Sequence, residues 1–168
     1  MFLFICGEGR CNPPTARGYP YQVCQDLKCL FLVLEHRYYG DSQPFPDWST
    51  PNLKWLNSTQ ALADLNNFIV ETNKQIIAQF GGQDRQWVTI GGSYPGALSA
   101  WFKNYYPNSA DVAWSSSGVI LPVRNFFDFD MDIYQATLRS GPECPLAIQK
   151  ITTYIEQAIT DKLTPADK

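Results

Sequence analysis

The chain has 168 residues and a formal net charge of −3, from 13 basic and 16 acidic residues. A hydrophobic content of 45% and an aromatic content of 14% suit a globular domain with a real core. The charge gathers into no basic face, which argues against a nucleic-acid partner, and no apolar run reaches the length of a membrane span.

Residues 2–6 (Phe-Leu-Phe-Ile-Cys) read as a buried strand; the apolar start is too short, and lacks the basic opening, for a signal peptide. Gly7-Glu8-Gly9 ends that strand. Residues 10–23, with Pro13, Pro14, Gly18 and Pro20, read mostly as loop. Residues 30–35 (Leu-Phe-Leu-Val-Leu-Glu) are apolar on both faces, as in a strand inside a parallel sheet. Residues 41–56, with Pro44, Pro46 and Pro51, read as loop again. A helix begins at Asn57, which can cap it while Gln60 reaches back in a capping box. Ala61, Leu62, Leu65, Phe68, Ile69, Thr72, Ile76 and Phe80 then form one helical stripe, and Gly81-Gly82 stops it.

Val88 to Ile90 is a short β-branched run, followed by Gly91-Gly92-Ser93-Tyr94-Pro95-Gly96 and a helical pattern to about Tyr105. Strand, sharp turn with serine at its apex, and helix make the nucleophile elbow of α/β-hydrolases, written G-x-S-x-G. Here Pro95 stands where the pattern has glycine, and proline suits the first turn of a helix. The plain alternative is a glycine-rich turn with an incidental serine. Residues 112–116 read as a further strand, so strands and helices alternate and the class is α/β with a mainly parallel sheet. After Pro122 the composition shifts: residues 125–132 are aromatic and acidic, and residues 145–159 look helical. This divides the chain into residues 1–121 and a helical unit over 122–168.

The five cysteines (Cys6, Cys11, Cys24, Cys29 and Cys144) match no zinc spacing, so neither a metal nor a cofactor is expected. The four early ones can form disulfides in an oxidising compartment, leaving Cys144 without a partner. Asn57-Ser58-Thr59 is an N-glycosylation sequon at an exposed helix start.

Four segments, in order and spacing, carry a resemblance: residues 4–9, the run Glu35-His36-Arg37-Tyr38-Tyr39-Gly40-Asp41-Ser42-Gln43-Pro44-Phe45, residues 60–65, and residues 91–102. Together they resemble the serine carboxypeptidase family of lysosomal Pro-X carboxypeptidase, dipeptidyl peptidase II and thymus-specific serine protease. The resemblance implies the N-terminal and central part of an α/β-hydrolase domain with the beginning of a helical cap. It also implies a Ser, Asp, His triad in that order. The chain is then expected to be a fragment: opening strands and a signal peptide would precede Met1, and the triad aspartate, histidine and a partner for Cys144 would follow Lys168.

With the resemblance, Ser93 is the expected nucleophile, which needs a base to take its proton. His36, the only histidine, precedes the serine and is read as a buried, hydrogen-bonded structural residue. The oxyanion of an acyl-transfer intermediate needs two donors: the Tyr94 backbone N–H, and the loop at Gly7 and Glu8, whose plain alternative is a tight turn. Tyr38 and Tyr39, with Glu8 and Arg37, could line a peptide pocket or make structural contacts. Asp41, Asp111, Asp128, Asp130 and Asp132 read as solvated loop acids, and Trp101 and Trp114 as core.

The reading is a serine exopeptidase acting beside proline or another small residue on peptide substrates, secreted or lysosomal/vacuolar. The alternatives are a non-catalytic, truncated or pseudoenzyme peptide binder, and an esterase of the same fold. The isolated chain should leave a sheet edge bare, with Leu30, Leu32 and Val112 at risk of exposure, and so aggregate or form a homo-oligomer.

Overall fold

The computed structural model describes residues 1–12 and 18–162, so Pro13 and Pro14 lie outside the described residues. The chain divides into two compact units, Met1–Leu121 and Pro122–Lys168.

The first unit is built on four parallel strands, β1 (Phe2–Ile5), β2 (Phe31–Leu34), β3 (Val88–Gly92) and β4 (Val112–Ser116), in the order β2-β1-β3-β4. Phe2 stands opposite Phe31 on one side and Val88 on the other, and Ile90 opposite Trp114. Side chains alternate across a strand, and β1 is apolar on both faces. Leu3 and Ile5 face one core, with Ala61, Leu62, Leu65 and Ile69 of helix α2 (Ser58–Phe80) and Leu98 and Phe102 of helix α3 (Tyr94–Tyr105). Phe2 faces the other, with Ile90 and Cys24 of helix α1 (Tyr19–Asp26). Each large apolar side chain so enclosed is worth about 1.5–3 kcal/mol. The fold is a partial α/β-hydrolase fold.

Several sequence expectations change here. The strand read at residues 30–35 is β2, which is half-buried at an edge of the described sheet; β1 and β3 are the strands with neighbours on both sides. Residues 19–23, read as loop, open helix α1. Pro20 sits in its first turn, where a missing N–H is harmless. The cap at Asn57 forms, with its side chain accepting from the Gln60 N–H at 2.9 Å. The return half of the capping box does not: the Asn57 N–H donates to Trp55 O instead. The predicted stripe on α2 is buried over its first three turns, and Phe80 at its end is 71% exposed.

Trp101 and Trp114 are half-buried against the two cores, as expected. Leu30 and Val112 are half-exposed, while Leu32 packs against the first core. The cysteines pair as Cys6–Cys11 and Cys24–Cys29, with Cys144 free.

In the second unit, α4 (Phe127–Leu138) and α5 (Glu143–Thr160) pack on each other. The acids Asp128, Asp130 and Asp132 lie on α4 rather than in a loop. Asp128 and Asp130 fall in its first turn, where negative charge suits the helix dipole. No helix of the described residues is long and apolar enough to cross a membrane.

Candidate active site

In a parallel sheet every strand ends on the same side, so the loops after β1, β2 and β3 open together. The loop after β3 is a single residue. Ser93 joins the last residue of β3 to the first of α3 with φ 59° and ψ −126°. Such a conformation costs on the order of 1–3 kcal/mol for a residue with a Cβ. Hydrogen bonds hold it there: the Ser93 N–H donates to Ser116 O at 3.1 Å, and Ser93 O accepts from Ala97 N–H at 3.1 Å and Val119 N–H at 3.4 Å. The serine is solvent-exposed.

The glycines around it serve close approach. A Cβ on Gly91 would collide with the Pro95 carbonyl, and one on Gly96 would lie 2.9 Å from Ser116 O and 3.0 Å from Gly118 Cα. Gly92 has room, its nearest contact being Ser116 O at 3.8 Å. Pro95 is buried in the first turn of α3. Its ring reaches to 3.2 Å from where a Gly7 side chain would begin, so the bare Gly7 makes space for it.

The loop after β1 is closed into a ring by the Cys6–Cys11 disulfide. The Gly9 N–H turns back onto Gly7 O at 2.9 Å. The Gly7 and Glu8 N–H groups make no hydrogen bond among the described residues.

One carboxylate ties this loop to the next. Glu35, just beyond β2, accepts from the Cys11 N–H at 2.9 Å, the Asp41 N–H at 2.9 Å and the Ser42 N–H at 2.8 Å. These bonds, that from Cys11 foremost, hold its pKa below the ordinary glutamate range. Gly40 has φ 56° and lies where a Cβ would overlap the Glu35 carboxylate. Arg37 is committed to Asp64 of α2 by two bonds of 2.6 Å.

His36 is buried, as expected, and both ring nitrogens are engaged. A carbonyl can only accept, so Nδ1–H donates to Arg37 O at 2.8 Å. In the neutral ring Nε2 then accepts from the Tyr94 hydroxyl at 3.0 Å. Burial, together with the nearby Glu8 carboxylate and Tyr39 hydroxyl, pushes the Tyr94 phenol up to about 12, which keeps it protonated and donating. Neither nitrogen is left to take a proton from Ser93.

Glu8, His36, Tyr39 and Tyr94 line an open groove of about 270 Å³, completed by Leu56 and Asn57. Tyr38 stands apart from it: it is 3% exposed, and its hydroxyl donates to Asn52 O at 2.5 Å. Asp41 pairs with Arg10 at 2.7 Å. Asp111 is an exposed loop acid, as read, and also accepts from the Trp87 N–H at 2.7 Å, between β3 and β4. No group of three or more His, Cys, Asp or Glu among the described residues is placed to hold a metal.

Sequence reasoning missed the supports. Ser116 and Gly118 hold the elbow through contacts across the sheet and carry no local signal. Leu56 and Asn57 reach the groove only through the long loop after β2. The unusual density of charged and aromatic residues over 35–45 was the one available sign that this loop is built for something specific.

A parallel sheet with a strained serine between strand and helix defines an α/β-hydrolase. The profile of the family described as Serine carboxypeptidase S28 matches residues 1–165, and the chain belongs to that family. It is 39% identical over 166 residues to "Probable serine protease EDA2" of Arabidopsis thaliana, covering 96% of this chain and 33% of that protein. It is 36% identical over 142 residues to the lysosomal Pro-X carboxypeptidase of Homo sapiens, covering 79% of this chain and 27% of that one. The mouse protein of the same name is 34% identical over 151 residues, covering 83% and 29%. The chain thus spans about a third or less of the length of these curated relatives.

Proposed function

We propose that this chain carries the nucleophile and oxyanion-binding part of a serine exopeptidase. The observation that carries the reading is Ser93 itself: exposed, strained, and held in that posture from both flanks. Its Oγ attacks the scissile carbonyl carbon while a base takes its proton. The carbonyl oxygen becomes an oxyanion. The Tyr94 N–H, at the start of α3, and the N–H groups of Gly7 and Glu8, unpartnered among the described residues, are its donors. The C–N bond then breaks, the amine leaves with a proton, and water releases the acyl group from Ser93. Tyr39 and the groove beside it receive the peptide, whereas Tyr38 supports the loop.

The base is not His36, whose nitrogens are both occupied. The proton acceptor and its aspartate come from outside residues 1–168. Cleavage beside proline follows the name of the Pro-X carboxypeptidases among the relatives, as does a lysosomal location. The two disulfides agree with an oxidising compartment. Because the only histidine has both ring nitrogens engaged, one second reading is that this polypeptide alone binds peptides without turning them over.

A fluorophosphonate probe tests the assignment of Ser93. In the product of the complete reading frame, Ser93 is expected to be labelled and Ser93→Ala to abolish both labelling and proline-peptide hydrolysis. The 168-residue chain alone is expected to show no turnover. Hydrolysis that survives in Ser93→Ala would overturn the assignment.

A further inference from the structure

Asn57 holds two positions at once. It caps helix α2, and it stands on the rim of the groove that Glu8, His36, Tyr39 and Tyr94 line. It is also the acceptor residue of the sequon Asn57-Ser58-Thr59. Three observations suit it for that chemistry. The residue is exposed, and so is Thr59. Its backbone is extended, with φ −152° and ψ 159°. The chain also carries two disulfides, which belong to the oxidising compartment in which such sequons are used.

The side chain is compatible with substitution. Oδ1 accepts the Gln60 N–H at 2.9 Å, and one Nδ2 hydrogen points to Lys54 O at 3.4 Å. The second Nδ2 hydrogen makes no hydrogen bond among the described residues. Replacing that hydrogen with a sugar leaves the helix cap in place.

We propose that Asn57 carries an N-linked oligosaccharide, and that this glycan forms the outer wall of the groove. In the transfer, the Asn57 Nδ2 attacks C1 of the reducing-end sugar of a lipid-linked oligosaccharide pyrophosphate. The N–C1 bond forms, the C1–O bond breaks, the lipid pyrophosphate leaves, and one amide proton passes to a base of the transferase. A glycan is bulky and well hydrated, whereas the groove is about 270 Å³ and open. Rooted on the rim, the glycan admits the slender end of a peptide and turns away folded protein surfaces. This restriction by substrate shape rests on the reading of Ser93 as the nucleophile.

The test uses the product of the complete reading frame, secreted from a glycosylating cell. Its Asn57 peptide is weighed, and Ser93 is labelled by a small fluorophosphonate or by the same warhead on a protein-sized carrier. Thr59→Ala removes the sequon but keeps the Asn57 cap, Thr59→Ser keeps both, and endoglycosidase treatment of the unaltered protein needs no substitution. A glycan on Asn57 is expected. Its loss, by Thr59→Ala or by endoglycosidase, should raise labelling by the bulky probe at least tenfold, with labelling by the small probe changing less than twofold. Thr59→Ser should match the unaltered protein. An unmodified Asn57, or a glycan whose removal leaves the ratio of the two rates unchanged, overturns the proposal alone. A glycosylated protein in which neither probe labels Ser93 overturns the nucleophile reading, and the gate with it.

Discussion

Gly91 and Gly92 offer the same substitution at adjacent positions with opposite expected results. At Gly91 a new Cβ would run into the Pro95 carbonyl and come within 2.8 Å of the Gly96 nitrogen. Both obstacles are backbone in the first turn of α3, so no side chain can swing aside. Forcing an extra methyl group into a filled space costs about 1–3 kcal/mol and occasionally more, and here the upper end applies. At Gly92 the nearest atom lies 3.8 Å away and φ is outside the left-handed region. Alanine there should stabilise by about 0.4–1 kcal/mol through the unfolded chain. Gly91→Ala should therefore melt lower than the unaltered protein, with each kcal/mol shifting a large protein's midpoint by less than the ~2–4 °C seen for domains of about 150–250 residues. Gly92→Ala should melt unchanged or a few degrees higher. Because Gly91 sets the crossing of β3 and α3, its variant should also lose fluorophosphonate labelling of Ser93. Thermal melting and probe labelling of the product of the complete reading frame supply both readouts. Equal losses at the two positions, or a larger loss at Gly92, would refute the steric reasoning.

Three further outcomes are expected. Glu35 has a folded-state pKa below the usual value of 4.5, so its stabilising contribution is fully present above that value and is lost as pH falls through the folded one; Glu35→Gln should therefore flatten the loss of stability below pH 4.5, seen as parallel acid titrations of the melting midpoint. Asp64→Asn removes the charge from a pair in which Arg37 is mostly buried and Asp64 is partly exposed; after discounting for screening, about 1 kcal/mol should be lost in urea unfolding. The isolated 168-residue chain, with Leu30 and Val112 about half-exposed at opposite edges of the described sheet and Ile148 and Ile155 about half-exposed on α5, should elute from a sizing column as oligomers or aggregates, and a cooperative monomer would count against that expectation.

The strands were legible because β-branched and apolar runs between glycines and prolines have few other uses; Val112–Ser116 was read to the residue. Helix α1 was hidden by its proline and the glycine before it, since Pro20 looks like a loop residue until it is placed in the first turn, the same position that Pro95 takes in α3. Helix α4 was hidden because Asn-Phe-Phe-Asp-Phe-Asp-Met-Asp alternates like a strand and follows no 3.6-residue stripe. At the site, Ser93 stood out through its glycines. What could not be read was which group occupies which partner. That Arg37 belongs to Asp64, that Glu35 gathers three amides, and that Tyr38 turns away while Tyr39 faces the groove are all decided by packing between distant segments.

The bond from the Ser93 amide to Ser116 O bears on how the chain is made. Synthesis runs from the N-terminus, and β3 emerges before β4 does. Until Ser116 and Val119 arrive, nothing beyond β3 and α3 holds Ser93 at its unfavourable φ, and the cheaper conformations of a flexible turn are open to it. The strained posture is thus fixed by residues translated some two dozen positions later. A ribosome-bound chain that stops short of β4 carries the serine without the Ser116 and Val119 hydrogen bonds that fix its backbone.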